Sequence, residues 1–160
     1  MKNVTGRVLT LLIGLGIGAS MFSMGNIPTA EENQLAGEIF LAANTTKPNI
    51  VTTASGLQYE ILVKGEGSSP VASSRVTVHY RGVTIDGDEF DSSYSRDTPT
   101  DFPLNQVIPG WTEGVQLMNV GAKYRFFIPA HLAYGKGGAG SSIGPNSALI
   151  FEIELLKFKK

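Results

Sequence analysis

From Leu57 onward the chain alternates apolar and polar positions in short runs separated by Gly, Pro and Asp turns. "RVTVHYRGVTI" (75–85) sets Val76, Val78 and Tyr80 against Arg75, Thr77, His79 and Arg81. Period two with one polar face predicts a half-exposed antiparallel strand. "LQYEILV" (57–63), "AKYRFFI" (122–128) and "ALIFEIELLKF" (148–158) predict further strands; the last carries Phe151, Ile153 and Leu155 on one face and Glu152 and Glu154 on the other. Asp86-Gly87 marks a hairpin turn, after which "EFDSS" returns. Within this series only "GWTEGVQLM" (110–118) reads as a helix. The elements predict an α+β fold, a mostly antiparallel sheet with one short helix laid across it.

The region before Leu57 follows other rules. Lys2 and Arg7 precede an uncharged run, Val8 to Phe22, that falls short of the ~20 residues a membrane-spanning helix needs. A positive flank, an apolar stretch and then small residues predict a secretory signal peptide over residues 1–30, with cleavage after Ala19, Gly25 or Ala30. Retention as an inner- or outer-membrane anchor, or an internal structural helix, is the alternative. "EENQLAGEIFLAA" (31–43) has helical spacing, with acidic residues first and apolar ones at Leu35, Ile39, Phe40 and Ala43. It predicts a short helix, packed on the domain or on a second chain, or else a poorly ordered spacer, and "NTTKPNIVTTASG" (44–56), with Pro48, reads as a linker. The expected organisation is therefore signal peptide 1–30, helix and linker 31–54, and one folded domain 55–160.

Composition narrows the function classes. A length of 160 residues with 42 % hydrophobic content suits one core plus appendages. Net charge −1 and pI near 6.1 give no basic field, so nucleic acid is not an expected partner. Without Lys2 and Arg7, eleven basic side chains face fourteen acidic ones, a net −3. There is no cysteine, which removes disulfides, thiolate chemistry and cysteine-based metal sites. The only histidines, His79 and His131, show no Ser-and-acid pairing in the sequence, and no metal site is expected. Gly135–Gly140 lacks the phosphate-loop pattern.

"VIPGW" (107–111) sets the single tryptophan directly after Pro-Gly, at an expected helix start. An aromatic there points at the sheet, either as ordinary core or as the floor of an apolar pocket. Tyr80, Phe90, Asp91, Val107, Ile108 and "AYG" (133–135) gather around the same helix.

"VTVHYRGVTIDGDEFDSSYSRDTP", "QVIPGWTEGVQLMNVGAKYRFFIPAHLAYG" and "SALIFEIELLKF", in that order, resemble the FKBP-type peptidyl-prolyl cis–trans isomerases, in tone the exported macrophage-infectivity-potentiator type. The resemblance covers roughly residues 55–158. It implies five to six antiparallel strands curved around one short α-helix, with an aromatic pocket between them and no cofactor. Carried over residue by residue, it implies that Asp91, Tyr80, Tyr134 and Ile108 act on the substrate amide. Phe90, Val107, Trp111, Ile143 and Phe151 would bind the substrate, with Trp111 as floor and Ile143 at the rim. Proline-containing clients among exported proteins and macrolide inhibitors such as rapamycin are the implied partners, with membrane contact only through the signal segment. The implied location is periplasmic or secreted. A catalytically weak chaperone or adaptor that holds Pro-containing segments is the alternative.

Two departures bear on the site. Thr100 stands where many relatives have a pocket-wall Phe, and the loop "GKGGAGSSIGPNS" (135–147) keeps Ile143 and Pro145 but has Ser142 and Gly144 where apolar residues or Pro are frequent. That loop is expected to be mobile and to set the preference for the residue before proline.

Overall fold

A computed structural model describes residues 27–160. The apolar run at 8–22 and its basic flank lie outside the described residues.

The central pair of strands follows directly from the alternation. β3 (Arg75–Thr84) and β7 (Leu149–Lys159) run antiparallel from Arg75 opposite Lys159 to Thr84 opposite Leu149. Val76, Val78 and Tyr80 on one strand and Leu149, Phe151, Ile153 and Leu155 on the other turn to the same face and are buried. β6 (Lys123–Ile128) pairs with β7, and β2 (Gln58–Val63) with β6. β4 (Glu89–Ser92) returns along β3 after the Asp86-Gly87 turn, where Gly87 holds φ +93°, a conformation that suits glycine. β1 (Val51–Thr52) pairs with β2, and β5 (Thr100–Pro103) pairs with β3. The sheet is antiparallel throughout, and its seven strands exceed the five or six expected because β1 and β5 are too short to show a period.

α2 (Pro109–Val115) crosses the buried face. Pro109 takes the first helical position, where its missing N–H costs nothing. Gly110 and Gly114, four apart and hence on one face, let the helix sit down on β6. A Cβ on Gly110 would lie 2.6 Å from Ile128, and one on Gly114 2.6 Å from Phe126. The helix ends earlier than the sequence suggests: the Leu117 and Met118 N–H groups bond three residues back, to Gly114 and Val115, tightening the last turn.

α1 (Ala30–Asn44) opens with a capping box, Thr29 and Glu32 each accepting from the other's backbone N–H. It packs on the domain, but not by the face that the apolar spacing indicates. Leu35 and Ile39 are 58 % and 62 % exposed, while Gly37 and Asn44 are buried and Asn33, Phe40 and Leu41 are half-buried. Asn33, Gly37, Phe40, Leu41 and Asn44 form one helical stripe, so the seat is made of amides, a glycine and a ring rather than aliphatic side chains. The Asn44 amide donates to Gln58 Oε1 at 2.9 Å, Gln58 donates to the Leu41 carbonyl at 2.9 Å, and Phe40 meets Phe127 at 6.0 Å. The stretch after the helix is therefore fastened at Asn44 and again at β1, so it is not a free linker.

Candidate functional site

The extended conformation of Ile108 followed by Pro109 turns the chain sharply into α2 and delivers Trp111 on the first turn, facing the sheet. Three rings meet its indole edge-on: Tyr80 at 5.1 Å and 81°, Phe151 at 5.3 Å and 88°, and Phe102 at 5.4 Å and 82°. Phe90 stands edge-on to Phe151 at 5.4 Å. Gly82 makes that approach possible, since a Cβ there would lie 2.6 Å from Phe90 and 2.7 Å from Phe151. Tyr80, Trp111 and Phe151 are buried as a floor, while Phe90, Phe102, Val107 and Ile108 are half-buried around it. The indole N–H is buried and meets no acceptor among the described residues. A tryptophan serving only as core normally finds one.

One wall of this floor is polar. Tyr80 Oη donates to Asp91 Oδ2 at 2.5 Å, and Arg96 donates to Asp91 Oδ1 at 2.6 Å and to Tyr80 Oη at 3.0 Å. Burial pushes the Asp91 carboxyl up, but hydrogen bonds from Tyr80 and Arg96 outweigh it and hold the group below its ordinary value. Burial, then the bond to Asp91, raises the Tyr80 phenol. The carboxylate is fixed from behind by "DSS". Ser93 is fully buried, accepts from the Tyr80 N–H at 2.7 Å, and ties the turn after β4 to β3. His79 meets a serine, its Nδ1 lying 2.8 Å from Ser93 Oγ, with no carboxylate bonded to the imidazole among the described residues. That hydroxyl has no solvent access, and the imidazole stacks on Tyr94 at 4.7 Å, so the pair is a structural corner.

The remaining expected residues come from the loops. Tyr134 is 42 % exposed; burial, and after it the Asp91 charge, raises its phenol. Ile143 is only 6 % exposed and belongs to the same core cluster as Tyr80, Trp111 and Phe151. The loop around it is closed by reciprocal Ala139 and Ile143 backbone bonds of 2.9 and 3.1 Å. Thr100 pairs with Val78 on β5 and is half-buried, and the ring two residues on, Phe102, reaches Trp111 and Tyr80. Phe102, Arg96 and Gly82 are the residues that the sequence reading missed. A signal for Phe102 existed, one strand face being shared by Thr100 and Phe102; Arg96 sits in a polar turn with no pattern around it.

A hollow of about 590 Å³ lies on the opposite face of the sheet, bordered by Phe40, Lys47, Arg81, Arg125, Phe127 and Ile150, and shares no residue with the aromatic floor.

Residues 66–156 match the family model of the FKBP-type peptidyl-prolyl cis-trans isomerases. The chain belongs to this family. Residues 17–61 match a second model, the domain amino-terminal to FKBP-type peptidyl-prolyl isomerases. The FKBP-type isomerase FkpA of Aeromonas hydrophila is 56 % identical over 131 residues, 82 % of this chain and 48 % of that protein. The outer membrane protein MIP of Legionella longbeachae is 51 % identical over 82 % of this chain and 56 % of its own length. The chain thus spans about half the length of these curated relatives. Among solved structures, a peptidyl-prolyl cis-trans isomerase from Pseudomonas syringae pv. tomato superposes with TM-score 0.78 at 40 % identity, covering 85 % of this chain and all of that one. FkpA from Escherichia coli gives the same TM-score at 42 % identity, over 81 % of this chain and 61 % of its own.

Proposed function

We propose that this chain is a peptidyl-prolyl cis–trans isomerase that accelerates X-Pro rotation in exported proteins. The observation that carries the reading is a water-poor aromatic floor bordered by the Tyr80–Asp91–Arg96 cluster. Family membership and the names of the relatives support it.

Rotation about X-Pro is slow because amide resonance gives the C–N bond partial double-bond character, a barrier of ~18–20 kcal/mol. In the twisted transition state that resonance is lost and the carbonyl oxygen carries less charge than in the planar amide. A dry aromatic site disfavours the planar, more polar form relative to the twisted one, and only such differential stabilisation accelerates the step. An acceleration of ~10⁵ requires about 7 kcal/mol. Trp111, Phe151 and Val107 cradle the prolyl ring, with Phe90 at the side and Ile143 supporting the loop from within. The Ile108 N–H, which bonds to no group among the described residues, donates to a substrate carbonyl. Tyr134 Oη donates to another. Asp91, oriented by Tyr80 and Arg96, faces the amide as it twists.

The partners in this reading are proline-containing stretches of unfolded exported proteins, and macrolides such as rapamycin compete for the same floor. The export signal ends ahead of Thr29, which caps α1, with cleavage after Ala19 or Gly25, and the protein works in the periplasm or is secreted; among the described residues no helix is long and apolar enough to cross a membrane. The test is refolding of a protein whose slow phase is X-Pro isomerisation, with the chain in catalytic amount. Acceleration of that phase, abolished by rapamycin, is expected. Stoichiometric binding of the unfolded protein without acceleration would overturn the isomerase reading in favour of a holding module.

A further inference from the structure

We propose that α1 is a positioning element for the substrate site: through Asn33 it holds the Tyr134–Ser147 loop, and its seat sets which residue is accepted before proline. This inference rests on the isomerase reading above. The loop carries Tyr134 at its start and Ile143 in its middle, and it is intrinsically loose, with positive φ at Gly135, Gly138, Gly140 and Asn146. Its internal ties are the Ala139–Ile143 bonds, one from the Gly138 N–H to the Gly135 carbonyl at 3.4 Å and one from the Asn146 N–H to the same carbonyl at 2.8 Å. The external ties run to α1. Asn33 Nδ2 donates to the Pro145 carbonyl at 2.9 Å, and Asn146 Nδ2 lies 3.4 Å from both the Ala30 carbonyl and Gln34 Oε1.

Two glycines let the surfaces meet. A Cβ on Gly144 would stand 2.8 Å from Asn33 Nδ2, and one on Gly37 3.0 Å from the Ala148 Cβ, just where the loop enters β7. Apolar packing does not replace these ties, because a hollow of about 280 Å³ bordered by Gln34, Leu41, His131, Lys136, Asn146 and Ala148 runs along the seam. The loop is thus pinned to the core by Ile143 in its middle and tied to the helix by amide hydrogen bonds at its Pro145–Asn146 end, and how that end lies against the aromatic floor follows the position of Asn33. Asn33 touches no substrate in this account; it acts through Pro145 and the loop.

The experiment compares the full chain, Asn33→Ala, Gly144→Ala and the double variant. Two quantities are read: kcat/KM on X-Pro peptides with a small or a bulky residue before proline, and exchange of the Ile143 amide hydrogen. Asn33→Ala should change the bulky-to-small kcat/KM ratio at least threefold and speed Ile143 exchange about tenfold, with the unfolding midpoint lowered by no more than about 3 °C. Gly144→Ala, by pushing the loop off Asn33, should move both in the same direction, and in the Asn33→Ala background it should do nothing further. A parent with no isomerase activity would overturn the proposed function, while Ile143 exchange would still test the brace. An active parent whose substrate ratio and Ile143 exchange survive both single substitutions would overturn this inference alone.

Discussion

Arg96 holds two polar atoms of the site at once, so its removal should be felt at Asp91 before it is felt in the fold. With the hydrogen bonds from Tyr80 and Arg96 in place the folded carboxyl titrates below its unfolded value near ~3.9. Its stabilising contribution is therefore present above that value and is lost as pH falls through the folded value. The raised phenols of Tyr80 and Tyr134 behave oppositely, favouring the fold below ~10 and failing as pH rises through their folded values. Between about pH 5 and 9 kcat/KM should be flat. In Arg96→Ala the acid limb should move to higher pH, read from a pH–rate profile; an unmoved limb would mean that Asp91 does not take part. Trp111→Leu should weaken both peptide and macrolide binding, measured by calorimetry, and lower the unfolding midpoint, since cutting a buried ring back to Ala costs about 3–5 kcal/mol and Leu recovers only part of the lost volume. Trp111, Tyr80 and Phe151 were legible in the sequence because alternation and the Pro-Gly start fix where they point. Arg96 was not, because an exposed arginine in a turn leaves no periodic trace and its role appears only when the chain folds back on Tyr80.

At the scale of elements, glycines decide how closely layers approach. Gly82 on β3 brings Phe90 against Phe151, and Gly114 brings α2 onto Phe126. Gly82→Ala should displace the Phe90 ring, lowering kcat/KM several-fold with a smaller loss of stability, since β4 lies at the sheet edge. Gly114→Ala should instead destabilise broadly, about 1–3 kcal/mol by denaturant titration, because helix and sheet must separate. The strands β2, β3, β6 and β7 were readable from period two. The seat of α1 was only partly legible, because hydropathy marks Phe40 but gives equal weight to the exposed Leu35 and Ile39, whereas the packed stripe is Asn33, Gly37, Phe40, Leu41 and Asn44. The backbone approach at Gly37 and the paired amides of Asn44 and Gln58 have no hydropathic signature.

For the whole molecule, the sheet separates two faces of different chemistry. The α2 side is aromatic, whereas the opposite face carries a ladder of charge in which Arg125 bonds Glu60 at 3.1 Å and Glu152 at 2.6 Å, and Arg81 bonds Glu89 at 2.6 Å. Glu152 belongs to that ladder, while Glu154 on the same strand face accepts from the Tyr94 hydroxyl. Residues 51–160 contain every strand and the aromatic floor, so that fragment should still unfold cooperatively, but at a lower midpoint than the full chain because Phe127 loses Phe40 and Gln58 loses Asn44. An equal midpoint would show that α1 contributes nothing to the fold. The central claim is that this aromatic floor, with Asp91 beside it, turns X-Pro bonds over. The most direct measurement is kcat/KM of the full chain and of Asp91→Leu on one X-Pro peptide. A catalytic parent and a variant at least about tenfold slower, a loss above ~1.4 kcal/mol in the transition state without a parallel loss of stability, is the predicted result. A variant as fast as the parent, or a parent that binds the peptide without accelerating it, would contradict the account.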